Sequence, residues 1–462
     1  MIAILGAGES GVGAALLAQA KGLKAFVSDM GQIKPTYKDT LEKHGIDFEE
    51  GTHTFDRILA ATEIIKSPGI PDKAEIIQRA KTKNIPVISE IEFAGRYSKG
   101  KFICISGTNG KTTTTLLIYH LLQTAGYNVA LAGNIGESLA AKVIEDEAEY
   151  YVVELSSFQL DTMYDFKAHI SILLNITPDH LDRYGYDIGN YAQSKLRITQ
   201  NQTAEDYFIY NEEDALIQEY LGKTNFEGTP IPFGLKHLNY TRAYYLDSFL
   251  VTDVQGIREN IDVSGSPLIG KHNKYNMLAA VTAALLAGVE PFRIEEGLST
   301  FKNADHRLQV VGEAQGVTYI NDSKATNVEA VWYALEGIDK PIVWIAGGID
   351  KGNNYDTLVP LAQKNVKVLI CLGKENEKLF RAFKEVIPNL DETQSVDEAV
   401  QKAKALATAG DVVLLSPACA SFDLFQNYED RGRRFAEAVQ KWVLVSSQII
   451  ADTPPSLDQN QE

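Results

Sequence analysis

The chain has 462 residues and carries 44 Lys and Arg against 61 Asp and Glu, which gives a net charge of −17. The length suggests roughly three domains of ~150 residues each, and so acidic a chain is a poor general binder of nucleic acid or of anionic membranes. The three cysteines are far apart and form no Cys-x-x-Cys pair, which argues against a disulfide framework or a zinc site and fits a reducing compartment.

The chain enters a predicted strand at its first residues, without a basic segment ahead of it. No apolar run reaches the ~20 residues that span a bilayer. We therefore expect no signal peptide and no membrane association, and we expect a cytoplasmic protein.

A glycine-rich turn follows the first predicted strand. Residues 2–5 predict a buried strand, Gly6-Ala7-Gly8-Glu9-Ser10-Gly11 is a complete G-x-G-x-x-G, and a helix is predicted over 12–21. The second predicted strand, 24–28, ends at Asp29, roughly where an acid meets a ribose in dinucleotide-binding folds. Taken alone, this arrangement predicts an NAD-dependent enzyme, although a tight turn that needs glycine only for packing gives the same pattern.

Strands and helices alternate along the rest of the chain, as in doubly wound parallel sheets. In segment 238–268, however, apolar and polar residues alternate, which predicts antiparallel strands at the edge of the second domain. We place the domains at 1–94, 95–299 and 300–462, and we expect the polar tail from Ser446 to be disordered. The further predicted strands are 63–66, 86–88, 128–130, 150–153, 169–174, 318–320, 342–346, 366–371 and 412–415, and the further predicted helices are 73–83, 272–289, 291–298, 328–335, 397–408 and 430–443.

The most informative stretch is KFICISGTNGKTTTTLLIY, which begins at Lys101. An apolar strand pattern ends in a small-residue loop, and Lys111-Thr112 open a helix, so that loop amides, the helix N-terminus and a lysine can all face an anion. Thr112 supplies a hydroxyl where such loops hold Mg²⁺. The match to the general P-loop pattern is incomplete, because its first glycine would stand at Ile105. A plain glycine turn is the alternative, but two glycines, a lysine and several threonines favour a phosphate site.

Polar side chains follow other predicted strands, at the edge where open α/β sheets bind ligands. Glu154 suits a metal ion shared with nucleotide phosphates, although a helix-capping or surface acid gives the same pattern. His180 either is a ligand or orients a phosphate, and a satisfied loop histidine is the alternative. Asn273 and Asn276 share a helix face and either read a purine or cap the helix. Lys195, from the residues alone, is a solvated lysine on a helix.

The third domain presents polar loops of its own. They are His306-Arg307 and the segments 321–327, 347–352 and 416–423, of which the last three each follow a predicted strand. Any one of them could be turn chemistry alone. Two domains with such loops imply a cleft that closes on a multi-part substrate.

These motifs together resemble the bacterial ATP-dependent Mur ligases over nearly the whole chain up to the tail. GTNGKT is shared with folylpolyglutamate synthetases and indicates only the superfamily. The motifs ELSSFQL, NDSKATN and the SPACAS…EDRG block resemble the D-glutamate-adding members. The remaining motifs that carry the resemblance are NITPDHLDR, YAQSKLRI, GKHNKYN, DHR and GGIDKG. All of the motifs occur in the family's order along the chain.

The resemblance implies three α/β domains: an N-terminal Rossmann-like domain for the UDP end, a central P-loop-type ATPase whose parallel sheet carries antiparallel edge strands, and a C-terminal Rossmann-like domain for the incoming amino acid. It implies that ATP phosphorylates the carboxylate of UDP-N-acetylmuramoyl-L-alanine and that the amine of D-glutamate attacks the acyl phosphate. Catalysis of this kind is mainly positioning and charge neutralisation. The partners would be these small molecules alone, and we expect a monomer.

Site residues follow from the matching motif positions. The resemblance makes Lys111, Glu154, His180 and Lys195 catalytic, with Thr112, Glu154, His180 and Lys195 around two Mg²⁺ ions and Lys195 carbamylated by CO₂. It assigns ATP to Gly107, Thr108, Asn109, Gly110, Lys111, Thr112, Thr113, Asn273, Asn276, Arg307 and Asp322. It assigns the UDP substrate to Glu9, Ser10, Asp29, Ser67, Pro68, Gly69, Asn134, Gly136 and His180, and D-glutamate to Lys324, Thr326, Lys351, Ser421, Phe422 and Tyr428. Relatives have polar Thr-Arg where this chain has Met30-Gly31, which leaves open how the UDP end is contacted there.

Two other functions remain as hypotheses. A dinucleotide-dependent oxidoreductase would use the first glycine loop and Asp29, but it leaves GTNGKT and the third-domain loops without a role. A non-catalytic nucleotide-binding regulator would not need the set Lys111, Glu154, His180 and Lys195 intact.

Overall fold

The computed structural model describes residues 1–238, 240–268 and 270–451, with side chains up to Leu444. It contains three sheets, which belong to two compact units. The first unit comprises residues 1–267 with 273–302, and the second comprises 268–272 with the residues from 303 onward. Within the described ranges, every helix is too short or too polar to cross a bilayer.

The first sheet has five parallel strands in the order β3-β2-β1-β4-β5, which is the doubly wound arrangement that the sequence predicts. Its strands are β1 (Ile2–Leu5), β2 (Ala25–Asp29), β3 (Asp47–Glu50), β4 (Glu63–Lys66) and β5 (Val87–Ile88). Its helices are α1 (Glu9–Ala20), α2 (Pro35–Lys43), α3 (Phe55–Ile58), α4 (Glu75–Thr82) and α5 (Glu90–Gly95).

Helix α1 begins three residues earlier than predicted, at Glu9 instead of residue 12. Gly8 stands at its N-cap, so the second half of the glycine motif is already helical. Gly11 packs against the loop, since a Cβ there would lie 1.8 Å from the carbonyl oxygen of Gly6. Only glycine permits this approach between helix and strand.

Helix α5 joins the first sheet to the second through two buried carboxylates. Glu92 accepts hydrogen bonds from the backbone amides of Tyr164, Asp165 and Phe166, and Glu90 accepts one from Ala140. Both side chains are almost fully buried. These bonds hold the N-terminal sheet and the central sheet in one compact unit.

The central sheet has nine strands in the order β14-β13-β12-β11-β10-β9-β6-β8-β7. The strands are β6 (Lys101–Ser106), β7 (Val129–Gly133), β8 (Tyr150–Glu154), β9 (Ile170–Leu173), β10 (Tyr207–Asn211), β11 (Thr229–Phe233), β12 (Ala243–Leu246), β13 (Phe249–Val254) and β14 (Ile257–Asp262). The helices are α6 (Lys111–Thr124), α7 (Leu139–Val143), α8 (Ser157–Leu160), α9 (Ile188–Leu196), α10 (Ala215–Leu221), α11 (Lys271–Leu286) and α12 (Pro291–Thr300).

The antiparallel strands predicted for 238–268 are β12, β13 and β14, at the sheet edge. Sequence reasoning missed β11, because Pro230 and Pro232 lie within it and proline donates no ladder hydrogen bond. The strand tolerates them because only Phe233 pairs with the neighbour β12, while the full length of β11 pairs with β10.

The third sheet has the order β15-β16-β20-β17-β18-β19 and is parallel except for β15. Its strands are β15 (Gln309–Ala314), β16 (Val317–Asn321), β17 (Ile342–Ala346), β18 (Val366–Leu372), β19 (Asn389–Thr393) and β20 (Val412–Leu415). Its helices are α13 (Val328–Glu336), α14 (Val359–Asn365), α15 (Glu377–Phe383), α16 (Val396–Leu406) and α17 (Tyr428–Ala451). The tail predicted to be disordered begins within α17, and its residues 452–462 lie outside the described residues.

Candidate active site

The loop after β6 and the helix α6 form the predicted phosphate-binding element. Gly110 has φ +84° and is the N-cap of α6, and a Cβ there would lie 2.3 Å from Oδ1 of Asn276. Lys111 folds back over the loop, and its Nζ donates to the carbonyl oxygens of Gly107 and Thr108, both at 2.8 Å. Thr112 and Thr113 are buried in the first turn of the helix. The element therefore has the geometry of a P-loop.

Asn175, which sequence reasoning did not place in the site, braces this loop. Its Oδ1 accepts hydrogen bonds from the amides of Thr108 at 3.0 Å and Asn109 at 2.8 Å. Its Nδ2 donates to the carbonyl oxygen of Asn109 at 3.0 Å. Two of the loop amides that we expected to face a phosphate are thus engaged by this side chain.

Glu154 ends the strand next to the P-loop strand, where Ile105 pairs with it in parallel register. Its Oε1 accepts a hydrogen bond from Nδ2 of Asn134 at 2.9 Å. Its Oε2 is buried and, among the described residues, lacks a hydrogen-bond partner. A buried carboxylate oxygen left open is costly unless a cation completes it, so Glu154 fits a Mg²⁺ ligand.

Across the described ranges, no cluster of three or more His, Cys, Asp or Glu side chains could hold a metal ion by itself. This agrees with the behaviour of Mg²⁺, which is bound through one or two carboxylates together with phosphate oxygens and water. Thr112 and Glu154 are suited to such a site.

Lys195 is buried instead of solvated, with only 1% of its surface exposed. Its Nζ donates to the carbonyl oxygen of Gly107 at 2.8 Å and lies 4.6 Å from the centroid of the Tyr191 ring. Burial, and then the nearby Lys111 ammonium, hold the pKa of this amine well below its usual value. The hypothesis of a surface lysine is wrong, and Lys195 lies beside the P-loop.

His180 lies among aromatic side chains in a loop of the same unit. Its ring packs edge-on against Phe158 at 5.3 Å, and its backbone is left-handed with φ +51°. The guanidinium of Arg183 lies over the same Phe158 ring, 4.3 Å from its centroid. Asp179 Oδ2 is 3.6 Å from His180 Nε2. The structure thus places His180 in a loop of polar and aromatic side chains.

Asn273 and Asn276 lie one turn apart on α11, with Nδ2 of Asn276 donating to Oδ1 of Asn273 at 3.2 Å. Both side chains are buried. Because Asn276 lies against Gly110, this pair adjoins the P-loop. Their position fits a contact to a bound nucleotide better than a helix cap at the surface.

The glycine loop after β1 is braced by its own neighbours. Asp29 accepts hydrogen bonds from the amides of Ala7 and Gly31, both at 2.7 Å, so both of its oxygens hold backbone. Ser67 lies directly against Gly6, where a Cβ would be 2.5 Å from its Oγ. Glu9 accepts a hydrogen bond from the Tyr37 hydroxyl at 2.9 Å. The predicted ribose-binding acid is therefore first of all a brace of this loop.

A small gap, too tight to admit a water molecule, separates this loop from the central sheet. It is lined by Ser10 and Pro68 of the N-terminal sheet and by Phe158 and Gln159, which follow Glu154. Gly136 lies elsewhere, beside an open groove along β7, with Asn128, Glu137 and Lys142. Of the residues predicted for the UDP substrate, Ser10 and Pro68 therefore meet at this gap, and Gly136 lies apart from them.

In the second unit, Asp322 joins three segments at the ends of strands. Its Oδ1 accepts from the Leu308 amide at 3.2 Å and its Oδ2 from Ser416 Oγ at 2.8 Å. Burial raises the pKa of this carboxyl to about 7, against the opposing effect of the Arg307 charge. Nε of Arg307 is buried and, within the described part of the chain, lacks a hydrogen-bond partner. The two predicted nucleotide residues of this unit are thus close enough to interact.

Arg431, a further residue that sequence reasoning missed, ties together the loops that carry the predicted D-glutamate residues. Its guanidinium, 1% exposed, donates to Ser323 Oγ and to the carbonyl oxygens of Ser323, Gly347 and Cys419 at 2.9–3.3 Å. Burial lowers its pKa to about 10. The only sequence signal was its place in EDRG at the start of a helix.

The loops that Arg431 joins present the predicted residues at one edge of the third sheet. Lys324 lies 5.5 Å from the Tyr428 ring centroid. Lys351 and Phe422 are exposed, whereas Ser421 is buried. Ile349 and Ala420 exchange two backbone hydrogen bonds, which keep the loops of Lys351 and Ser421 side by side. Thr326 lies in the loop of Lys324, where its amide donates to the Lys324 carbonyl.

The sequence matches three family profiles in chain order. The Mur ligase MurD-like N-terminal domain matches residues 1–89, the Mur ligase middle domain matches 105–284, and the Mur ligase glutamate ligase domain matches 306–419. The chain is 50% identical over 441 residues to a UDP-N-acetylmuramoylalanine--D-glutamate ligase of Bacteroides fragilis, covering 95% of this chain and 99% of that protein. It is 51% identical over 440 residues to the protein of that name from Porphyromonas gingivalis, with 95% and 98% covered.

Solved structures with the same fold are more distant in sequence. The UDP-N-acetylmuramate-alanine ligase MurC of Thermotoga maritima aligns with a TM-score of 0.60 at 17% identity, covering 96% of this chain and 99% of that one. A pseudomurein peptide ligase type C from Methanothermus fervidus aligns with a TM-score of 0.61 at 20% identity and the same coverage. These likenesses confirm the predicted three-domain α/β fold, and together with the profiles and the close relatives they establish that the chain belongs to the Mur ligase family.

Proposed function

We propose that this chain is an ATP-dependent amide ligase of peptidoglycan synthesis that joins D-glutamate to UDP-N-acetylmuramoyl-L-alanine and releases ADP and phosphate. The observation that carries the proposal is the P-loop of Lys111 beside the open carboxylate oxygen of Glu154, in a chain 50% identical to proteins named for this reaction over 95% of its length. The geometry of the site supports binding of phosphate and a cation, and the choice of substrate rests on the similar proteins.

A carboxylate reacts poorly with amines, so the proposed chemistry first activates it as an acyl phosphate. The terminal carboxylate of the UDP substrate attacks the γ-phosphorus of ATP, and the bond to the bridging oxygen of ADP breaks. The amine of D-glutamate then attacks the acyl carbon, and the tetrahedral intermediate expels phosphate and loses a proton. The protein contributes position and positive charge around crowded anions.

Each nucleotide residue has a proposed role. Lys111 and the first turn of α6 would hold the β- and γ-phosphates, Thr112 and Glu154 would hold one Mg²⁺, and His180 would help to hold a second. When bound, Mg²⁺ neutralises part of the negative charge of the phosphates. Asn273, Asn276, Arg307 and Asp322 would contact the nucleotide.

Lys195 is proposed to carry a carbamate formed with CO₂. As an ammonium it would put a second cation beside Lys111 in a buried site, with one carbonyl oxygen as its hydrogen-bond acceptor. A carbamate would replace that buried positive charge by an anionic oxygen ligand. Burial at the P-loop supports this assignment.

The two ends of the reaction use the remaining residues. Glu9, Ser10, Asp29, the Ser67-Pro68-Gly69 turn, Asn134 and Gly136 would contact the UDP substrate, and Lys324, Thr326, Lys351, Ser421, Phe422 and Tyr428 would bind D-glutamate. We further propose domains at 1–94, 95–299 and 300–462, and a monomer that works in the cytoplasm. The lysines would pair with the carboxylates of the amino acid in charge-assisted bonds.

Phosphate release from ATP tests the proposal. The purified chain is incubated with UDP-N-acetylmuramoyl-L-alanine and Mg²⁺, and D-glutamate is compared with L-glutamate, D-aspartate, L-lysine and no amino acid. We expect ADP, phosphate and a new amide with D-glutamate above all others. Equal turnover with L-lysine would contradict the choice of amino acid, and tight NADH binding without ATP turnover would favour an oxidoreductase.

A further inference from the structure

Lys66, at the end of β4, is a buried cation to which neither the sequence nor the proposed reaction gives a role. Only 2% of its side chain is exposed. Its Nζ donates to the carbonyl oxygen of Ile70 at 2.9 Å and to Asp72 Oδ1 at 3.0 Å. Burying an ammonium is costly unless its hydrogen bonds are made, so the contacts of Lys66 define what it stabilises.

Those contacts close the turn that follows the strand. The chain reverses between Ser67 and Ile70, whose amide donates to the Ser67 carbonyl at 3.1 Å. Lys66 lies at the end of β4, just before the turn, and its side chain reaches across to the carbonyl of Ile70 at the other end. One side chain therefore joins both ends of the turn. Without it, the Ile70 carbonyl would lose its bond to a charged donor, and such bonds are stronger than those between neutral groups.

The closed turn lies against the glycine loop. Leu5 and Lys66 are register partners in neighbouring strands, and the Ser67 amide donates to the Leu5 carbonyl at 3.0 Å. A Cβ on Gly6 would lie 2.5 Å from Ser67 Oγ, so the two loops leave no space between them. Lys66 also lines the tight gap at which Ser10 and Pro68 meet the central sheet.

We infer that Lys66 is a positioning residue for the UDP-bearing substrate. It holds the Ser67–Ile70 turn against the glycine loop, so that the Ser67-Pro68-Gly69 backbone meets the substrate in a fixed shape. The inference rests on the proposed function and adds to it a residue that acts through this turn. Its loss should weaken binding of the UDP end and leave the other two substrates unaffected.

Lys81 offers a matched control within the same ion-pair group. Its Nζ lies 2.9 Å from Asp72 Oδ2, but its side chain is 51% exposed and it does not reach the turn. Exposed ion pairs contribute little to stability. Lys66→Met and Lys81→Met therefore each remove one ammonium group that pairs with Asp72, and only Lys66→Met also opens the turn.

The experiment measures kcat and the KM of each substrate for the wild type, Lys66→Met, Lys81→Met and Asp72→Asn, with thermal unfolding of each. We expect Lys66→Met to raise the KM for UDP-N-acetylmuramoyl-L-alanine about tenfold, with the KM values for ATP and D-glutamate and kcat within about twofold. Asp72→Asn, which keeps the bond to the Ile70 carbonyl, should give a smaller rise, and Lys81→Met should match the wild type. Calorimetric titration with UDP alone should show the same order.

Other outcomes overturn the inference. An unchanged KM for the UDP substrate in a folded Lys66→Met variant contradicts it, and so does an equal rise in all three KM values. If Lys66→Met does not fold, Asp72→Asn must still weaken UDP binding relative to Lys81→Met. A wild-type chain that makes no ADP refutes the proposed function instead, and the UDP titrations then decide the role of Lys66 by themselves.

Discussion

The side chain of Asn175 and the backbone of Asn109 are joined by two hydrogen bonds, one in each direction, at 2.8 and 3.0 Å. The side-chain amide thereby acts as a peptide group that completes the P-loop from outside it. The same side chain also accepts a hydrogen bond from the Thr108 amide, which gives three hydrogen bonds between Asn175 and the loop. The loop thus owes its shape to a residue that lies after β9, far along the chain.

Replacing Asn175 should therefore weaken nucleotide binding. Asn175→Leu is nearly isosteric but makes none of the three bonds, and we expect the KM for ATP to rise about tenfold while the KM for D-glutamate stays unchanged. Steady-state kinetics with each substrate varied in turn checks this. Asn260→Leu, on the exposed edge strand β14, is the control. An Asn175→Leu variant with normal ATP kinetics would show that the brace is dispensable.

Lys111 should be indispensable for turnover and dispensable for folding. Its half-buried side chain donates to the loop carbonyls of Gly107 and Thr108, so we expect Lys111→Ala to remove the proposed phosphate-binding charge without opening the core. We expect phosphate release to fall by a factor on the order of 10³ or more, with circular dichroism and the melting temperature close to the wild type. Lys101→Ala, at the exposed start of β6, is the control. Near-normal product formation by a folded Lys111→Ala variant would refute the phosphate role.

Local patterns were enough to predict much of the fold. The buried strands β1, β17 and β20 have the bounds that the sequence predicts, because continuous apolar runs end in turn residues. Strand β3 was missed because its sequence, DFEE, is acidic and its side chains are at most half-buried. Helix α5 was missed although Ser89 caps it and Glu92 stands three residues on, which is the capping-box spacing.

Site residues that act at a distance were harder to predict. Glu154 ends strand β8 and Lys111 opens the helix after the β6 loop, so both could be placed by their position in a strand–loop–helix pattern. Asn175 braces a residue 66 positions away, and Arg431 reaches Ser323 across 108 positions, and spacing carries no sign of either link. Lys195 shows the same limit, since its polarity suggests solvent and only the packing of α9 against the P-loop buries it.

Arg431 should control both the stability of the second unit and the affinity for D-glutamate. Lysine cannot reproduce a planar fork with donors to three loops. We expect Arg431→Lys to lower stability by about 3 kcal/mol and to raise the KM for D-glutamate about tenfold more than the KM for the UDP substrate. Thermal unfolding and kinetics measure both effects. Arg433→Lys, an exposed neighbour on α17, is the control, and equal behaviour of the two variants would contradict the prediction.

Lys195→Ala should be inactive but partly rescued by small carboxylic acids. The substitution leaves a buried gap beside Gly107, and a short carboxylate could place its anionic oxygens where the carbamate is proposed. We expect phosphate release to recover in part with formate or acetate and not with chloride at equal ionic strength. Lys111→Ala removes a positive charge, which a carboxylate cannot replace, so the acids should not restore its activity. Full activity of Lys195→Ala without additive would remove Lys195 from the mechanism.

Glu90 should make the stability of the first unit depend on pH. Its carboxyl is buried, and burial together with the charge of Glu9 raises its pKa to about 7, despite the opposing hydrogen bond from Ala140. The protonated form is therefore favoured in the folded state, so its contribution is complete below the unfolded pKa of about 4.5 and is lost as the pH rises through about 7. The loss is on the order of 3 kcal/mol when complete.

Glu90→Gln removes this dependence, because the amide stays neutral and its oxygen still accepts the Ala140 hydrogen bond. We expect the variant to unfold at a temperature several degrees above the wild type at pH 8 and close to the wild type at pH 5, since about 1 kcal/mol shifts the melting temperature of a unit this large by 2–4 °C. Glu145→Gln, at an exposed position, should change neither value. A melting-temperature difference between Glu90→Gln and the wild type that is the same at both pH values would show that Glu90 is not the titrating group.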